Sequence, residues 1–177
     1  MRHWVHRCID FFGCVSAAFV FGIFVVMLGA ALLRTFQVPV GGSDDIVSWM
    51  TAAAAFFGLA HTFHHGDFVR MSLVIEKFEP AARRWIELFA LTVGVLFTAY
   101  LTYSVTAYVY DSYVFGDVAD GLIPLKKWIP QSSIVIGSLL LFIALLDEWV
   151  NVARGNRPDY VLAVEDRHAK GDFSEDM

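Results

Sequence analysis

The sequence predicts an all-α integral membrane protein. Four transmembrane helices are expected, with a short amphipathic surface helix between the second and third and both termini in the cytoplasm. Three observations carry this reading. Of the 177 residues, 57% are hydrophobic and the mean hydropathy is +0.57, above what a soluble domain carries. The apolar excess falls in four blocks, each long enough to cross ~30 Å of hydrocarbon. The basic residues divide ten to three between the two sides that four spans define.

Residues 1–10 are short, polar and basic, with Arg2, His3, His6 and Arg7, and are expected to precede the first helix. Phe11–Leu33 then runs 23 residues without a charge, a length of roughly 34 Å as helix. A cleaved signal peptide has an apolar core of only ~7–15 residues, so this helix is read as retained. Ala18, Gly22 and Gly29 put small residues along one of its faces, as membrane helices do where a neighbouring backbone comes close.

Pro39, Gly41 and Gly42 mark a loop. Ser43, Asp44 or Asp45 can cap a second helix starting near Ile46, where negative charge suits the positive helix end. That helix runs to His64, and Thr51, Ala55, Gly58 and Thr62 form a ridge at spacings of three and four. Phe68–Phe78 is not long enough to span. It mixes Arg70, Glu76 and Lys77 with apolar residues, the pattern of a helix lying in the interface.

Pro80 suits a first helical turn, and Arg83, Arg84 and Trp85 would anchor that end of helix three beside Arg70 at the membrane surface. Helix three extends to Tyr110, with Thr98, Thr102 and Thr106 placed to bond across to another helix and a belt of tyrosines toward its far end. A loop with Gly116, Gly121 and Pro124 leads to Trp128, the anchor that opens helix four, and Gly155 and Pro158 close that helix. The expected organisation is a transmembrane domain over 1–155 with spans at about 11–33, 46–64, 84–110 and 128–152, then a charged, disordered cytoplasmic tail over 156–177.

Four spans put both termini on one side. The N-terminus, the second loop and the C-terminal segment hold ten of the 13 Lys and Arg residues, leaving Arg34, Lys126 and Lys127 on the other side. The ten mark the cytoplasmic face. A net charge of −5 argues against a nucleic-acid partner. Cys8 and Cys14, six residues apart on one helix, cannot meet disulfide geometry and match no zinc spacing.

His61, His64 and His65 at the end of helix two are the residues that invite chemistry. Haem ligation would need a histidine on a facing helix at membrane depth, and helices one, three and four, with His3 and His6 ahead of the first, offer none. His61 and His65 share a face at i, i+4 and could bind a metal, with a third ligand from Asp67 or another segment, but no HExxH pattern is present. The structural reading is that histidines at a helix end sit in the interface and satisfy its last carbonyls. Asp147 and Glu148 lie near the cytoplasmic end of helix four within reach of Arg154, and Glu87 lies close to Arg83 and Arg84. No nucleophile arrangement, phosphate loop or polar pathway through mid-membrane is evident, so no catalytic, cofactor or metal residues are assigned. The chain reads as an accessory or scaffold subunit and not an enzyme.

The order of several short motifs resembles the small membrane subunit, DctQ type, of tripartite ATP-independent periplasmic (TRAP) transporters. The likeness covers Phe11–Val152. It rests on Arg34, on Asp44-Asp45, and on Gly58-Leu59-Ala60 running into Gly66-Asp67-Phe68-Val69-Arg70. It rests also on Ile123-Pro124-Leu125, Trp128-Ile129-Pro130 and Gly137. Where that family often has histidine before the valine of the second-loop motif, Phe68 stands here.

The resemblance implies a bacterial inner-membrane location and a large multi-span partner that uses the sodium gradient. It also implies a periplasmic binding protein delivering an organic acid, a carboxylate or sulfonate such as a C4-dicarboxylate or sialic acid. The small subunit would brace the static part of the large one. Ala18, Gly22, Gly29, Thr51, Ala55, Gly58 and Thr62 are then candidates for the partner interface. A redox membrane anchor binding haem or quinone is the competing reading.

Overall fold

In hydrocarbon no water is present to satisfy backbone N–H and C=O groups, so an apolar segment that crosses it must close its own hydrogen bonds as a helix. The computed structural model, which describes residues 2–38, 41–65, 80–119 and 121–155, has four such helices. They are α1 (Arg2–Thr35), α2 (Ser43–His65), α3 (Pro80–Phe115) and α4 (Trp128–Ala153). Each is long and apolar enough to span a membrane. The segment expected as a surface helix, Arg70 within it, and the tail after Gly155 lie outside the described residues.

Three boundaries differ from the sequence expectation. Helix α1 begins at Arg2, so His3 and His6 belong to it and do not precede it. The apolar run marks what can sit in lipid, whereas the helix continues as long as its hydrogen bonds do. At its other end Gln37 adopts a left-handed φ of 58°, with Gln37 N–H donating to Arg34 O and Val38 N–H to Leu33 O. That closes the helix in the way a glycine usually does. Helix α2 begins at Ser43, three residues before Ile46. Helix α3 runs past Tyr110 to Phe115, where Gly116 (φ 67°) ends it with the same bond pattern.

The helices pack as a row. The main contacts are α1 on α2, α2 on α4 and α4 on α3, with a slight touch between α1 and α4. Two helical hairpins, α1–α2 and α3–α4, are therefore joined chiefly along the α2–α4 seam. Helix α1 lies at one edge, and none of its most apolar 18-residue window is buried.

Small residues make the seams, because lipid tails are as apolar as leucine and only close packing favours helix contact. Helix α4 buries Gly137, Ser138, Ala144, Leu145, Glu148, Asn151 and Val152, a stripe of heptad-like period. Helix α2 answers with Ala53, Ala54, Phe57 and Ala60. At Gly137 a Cβ would lie 2.7 Å from the carbonyl carbon of Phe56, so this position admits only glycine without moving the helices apart. Gly22 faces the Met50 side chain, and Gly58 faces Ser16, whose hydroxyl donates to Ala54 O at 2.7 Å. Phe12 and Phe19 close on Phe57 at ring distances of 5.0 and 6.1 Å.

Thr98 and Thr106 of α3 do not reach across to another helix. Thr98 donates to Gly94 O and Thr106 to Thr102 O, both within the helix, the back-bonding that satisfies a hydroxyl locally. A crossing bond comes from Thr92, nearly two turns before Thr98, whose Oγ1 accepts from Trp149 Nε1 at 2.9 Å.

At the end of the row opposite the N-terminus, the two hairpin loops dock on each other. Asp45 does not cap α2. Its carboxylate accepts the Leu122 N–H at 3.0 Å, 77 residues away in the chain. Gly121 lies against that carboxylate and a Cβ there would collide with it, while Gly42 (φ 80°) lies under Ile123. The α3–α4 loop is itself pinned by the Val118–Lys126 bridge, with Ala119 N–H donating to Leu125 O and Lys127 N–H to Asp117 O.

Two outcomes follow from these contacts. Gly137→Val should lower stability by about 1–3 kcal/mol through overpacking of the α2–α4 seam, whereas Gly29→Ala, with nothing within 4 Å of the added Cβ, should stay within about 0.5 kcal/mol of the parent. Thermal unfolding in detergent measures both, and equal effects would contradict this packing. Asp45→Ala should speed amide exchange at Leu122 by about tenfold, the equivalent of one ordinary hydrogen bond. An unchanged rate would show that the loop is held by other contacts.

A histidine–carboxylate cluster as the candidate functional site

Alternating helices place the start of α1 beside the ends of α2 and α4. The extension of α1 to Arg2 matters here, because it aligns His6 and Asp10 one turn apart on one face. Opposite them, the last turn of α2 presents His61 and His65 at i, i+4, with His64 between. Asp147 and Glu148 come from the penultimate turn of α4.

The groups meet in two subclusters. Asp10 Oδ1 lies 3.0 Å from His65 Nε2 and 3.7 Å from His61 Nδ1, and the His61 and His65 rings pack at 4.3 Å. Next to them, His6 packs its ring on His64 at 4.1 Å and points Nε2 toward Asp147 Oδ2 at 3.8 Å. His6, His64, Asp147 and the buried Glu148 line a small recess together with Ile9, Phe63 and Ala144. These apolar neighbours belong to a core cluster in which Ile9, Ala60 and Ala144 are buried, so the polar groups sit at the rim of packed side chains.

Several expectations change at this end. His61 and His65 turn toward a carboxylate of another helix, that of Asp10. Asp147 pairs with His6 and not with Arg154. Arg84 donates to Ala153 O at 2.9 Å, so it serves the carbonyl end of α4 instead of Glu87. The Arg83 side chain lies outside what the structure describes. Trp85 is strongly exposed, and Trp128 packs edge-on against Tyr113 at 5.6 Å.

The seven small residues read as packing candidates separate into two sets. Gly22 and Gly58 lie in the α1–α2 seam within the chain. Thr62 is half-buried and donates back to Gly58 O. Ala18, Thr51 and Ala55 are exposed on the outer surface, and Gly29 faces open space.

Asp10 is the residue that sequence reasoning passed over. The signal was the antiparallel order of helices, which sets residue 10 at the depth of residues 61–65, and its i+4 spacing from His6. Three donor atoms, from Asp10, His61 and His65, lie within 4.8 Å of one another, a spacing that one metal ion can serve. A haem finds no comparable fit, because the four described histidines pack ring to ring or ring to carboxylate and leave no slot between facing imidazoles for a planar macrocycle.

No curated protein and no solved structure matches the chain. A family model does, that of "Tripartite ATP-independent periplasmic transporters, DctQ component", over residues 23–155. This span takes in the last 13 residues of α1 and all of α2, α3 and α4. It leaves out the first 21 residues of α1, and with them His6 and Asp10. By this match over three quarters of its length, the chain belongs to the family of small DctQ components of tripartite ATP-independent periplasmic transporters.

Proposed function

We propose that the chain is a scaffold subunit without chemistry of its own, which braces the large subunit of a TRAP transporter in sodium-coupled uptake of an organic acid. The observation that carries this is the open row of helices within a chain of the DctQ family. A closed four-helix bundle would bury one face of every helix. Here α1 leaves Phe11, Phe21, Phe24, Leu28 and Leu32 exposed, and α3 leaves Trp85, Phe89, Leu96, Phe97 and Tyr103 exposed. An open row leaves broad apolar surface uncovered, which suits lateral contact with a much larger membrane partner better than it suits independent transport. A solute path needs polar or broken helices near mid-membrane, and the described helices are continuous there.

In this reading Ala18, Gly29, Thr51 and Ala55 are the small residues left available to the partner, while Gly22 and Gly58 hold the chain together. Sodium and substrate are handled by the large subunit, and a periplasmic binding protein supplies a carboxylate or sulfonate. The distribution of Lys and Arg orients the chain in the inner membrane with both termini in the cytoplasm. Residues 68–78 then lie along the cytoplasmic surface, and residues 156–177 form a charged tail.

Two measurements test this. Gly29→Leu should leave unfolding of the chain unchanged but reduce co-purification of the large subunit by about tenfold or more, the effect of a clash at a packed contact. Full co-purification would remove Gly29 from the interface, and failure of the unaltered chain to co-purify with any large membrane subunit would overturn the scaffold role. For orientation, Cys8 is an exposed natural probe near the N-terminal end. With Cys14→Ser, a membrane-impermeant maleimide should label Cys8 only after the inner membrane is permeabilised. Labelling in intact spheroplasts would invert the topology.

A further inference from the structure

We propose that Asp10, His61 and His65 form a binding site for one divalent transition-metal ion of the zinc class, which staples α1 to α2. The donor set is two imidazoles and one carboxylate, which suits Zn2+, Co2+ or Ni2+. Mg2+ and Ca2+ take oxygen donors and are poorly served by it. A metal at ~2.0–2.2 Å from nitrogen and oxygen in tetrahedral geometry holds neighbouring donor atoms ~3.3 Å apart. The separations from Asp10 Oδ1, 3.0 Å to His65 Nε2 and 3.7 Å to His61 Nδ1, fall on either side of that value. All three donor atoms lie within 4.8 Å of one another, so side-chain rotation that draws the two imidazoles together would seat an ion.

Two further observations point to the same place. His61 Nδ1 is shielded from solvent and makes no hydrogen bond among the described residues. A buried ring nitrogen without a hydrogen bond is costly, and coordination would satisfy it. Second, Gly13 lies directly beneath that nitrogen, and a Cβ at this position would stand 2.5 Å from both Cγ and Nδ1 of His61. The missing side chain is what lets His61 turn its nitrogen toward Asp10. Meanwhile Asp10 and His65 remain about half exposed (53% and 44%), so an ion can enter and keep a water in its fourth position.

The ion would tie the edge helix α1, otherwise held by the small-residue seam, to the last turn of α2. His64, one residue from His65, is turned toward His6 and stands outside the donor set.

The test uses the full chain in detergent, purified through a cleavable tag without histidines. Co2+ is titrated in, its visible absorption is recorded, and Zn2+ then competes it away. One ion per chain is expected. Asp10→Asn, which keeps the size of the side chain but loses the charge, and His65→Ala should each weaken binding by at least about 100-fold, the upper end of what loss of even an outer partner costs a metal site. Asp10→Glu should retain binding, and His64→Gln should bind as the parent does. Circular dichroism and gel filtration show whether each variant is folded. The proposal is overturned if the parent chain binds no stoichiometric ion, if folded Asp10→Asn and His65→Ala bind as tightly as the parent, or if His64→Gln weakens binding as much as they do. The stoichiometry of the parent decides the matter even if a variant does not fold.

Discussion

The seam between α2 and α4 is where the molecule becomes one body. Each hairpin, α1–α2 and α3–α4, is held by contacts between helices adjacent in sequence, and what joins the hairpins is the approach of Gly137 to the Phe56 backbone. In a lipid solvent that approach matters more than it would in water. Burying another leucine gains little there, because lipid already surrounds it, so stability rests on contact distance and on polar groups that find partners. The small residues Ala53, Ala54, Ala60, Ser138 and Ala144 extend the seam on either side of Gly137.

Apart from the Ser16 hydroxyl on Ala54 O at mid-helix, the polar ties named above sit toward the two ends of the helices, where water or headgroups are near. At one end Asp45 holds the Leu122 amide, so that the two hairpin loops grip each other. At the other, Asp10 meets His61 and His65, His6 meets Asp147, and Arg84 meets Ala153 O. Two of these ties, Asp45 to Leu122 and His6 to Asp147, cross between the hairpins, and all of them fix the vertical register that apolar packing leaves loose. The function inferred for the chain needs this arrangement. A brace must be stiff but need not react with anything.

The helices and their number were legible because apolar run length reports directly on membrane thickness, whereas Gly137 was named only among the short motifs and not as a packing contact. What stayed hidden was which residues meet. Asp45 looked like a helix cap, since local spacing allows it, yet its partner is in a loop 77 residues away. Asp10 looked like the end of a polar leader, because hydropathy marks the edge of lipid and not the end of a helix. The α3 threonines offered crossing hydrogen bonds by their period, but a back-bond to the preceding turn is closer at hand and Thr98 and Thr106 take it. The histidines were visible at once, and their carboxylate partners required knowing which helices are neighbours. The division of small residues into inner and outer sets also depended on rotation about each helix axis, which period alone leaves undetermined.

The row order α1–α2–α4–α3 has a consequence for biosynthesis. As the chain leaves the ribosome, α1 and α2 can pair in the bilayer as soon as the second helix is released, since the surfaces they share are complete by His65. Helix α3, however, has no substantial neighbour among the helices made before it. It must wait in lipid, with Glu87 and its threonines, until α4 emerges to pack against it and α2 together. The fourth helix is thus the one that completes the row, and chains stopped before Trp128 would hold one finished hairpin beside an unpaired helix.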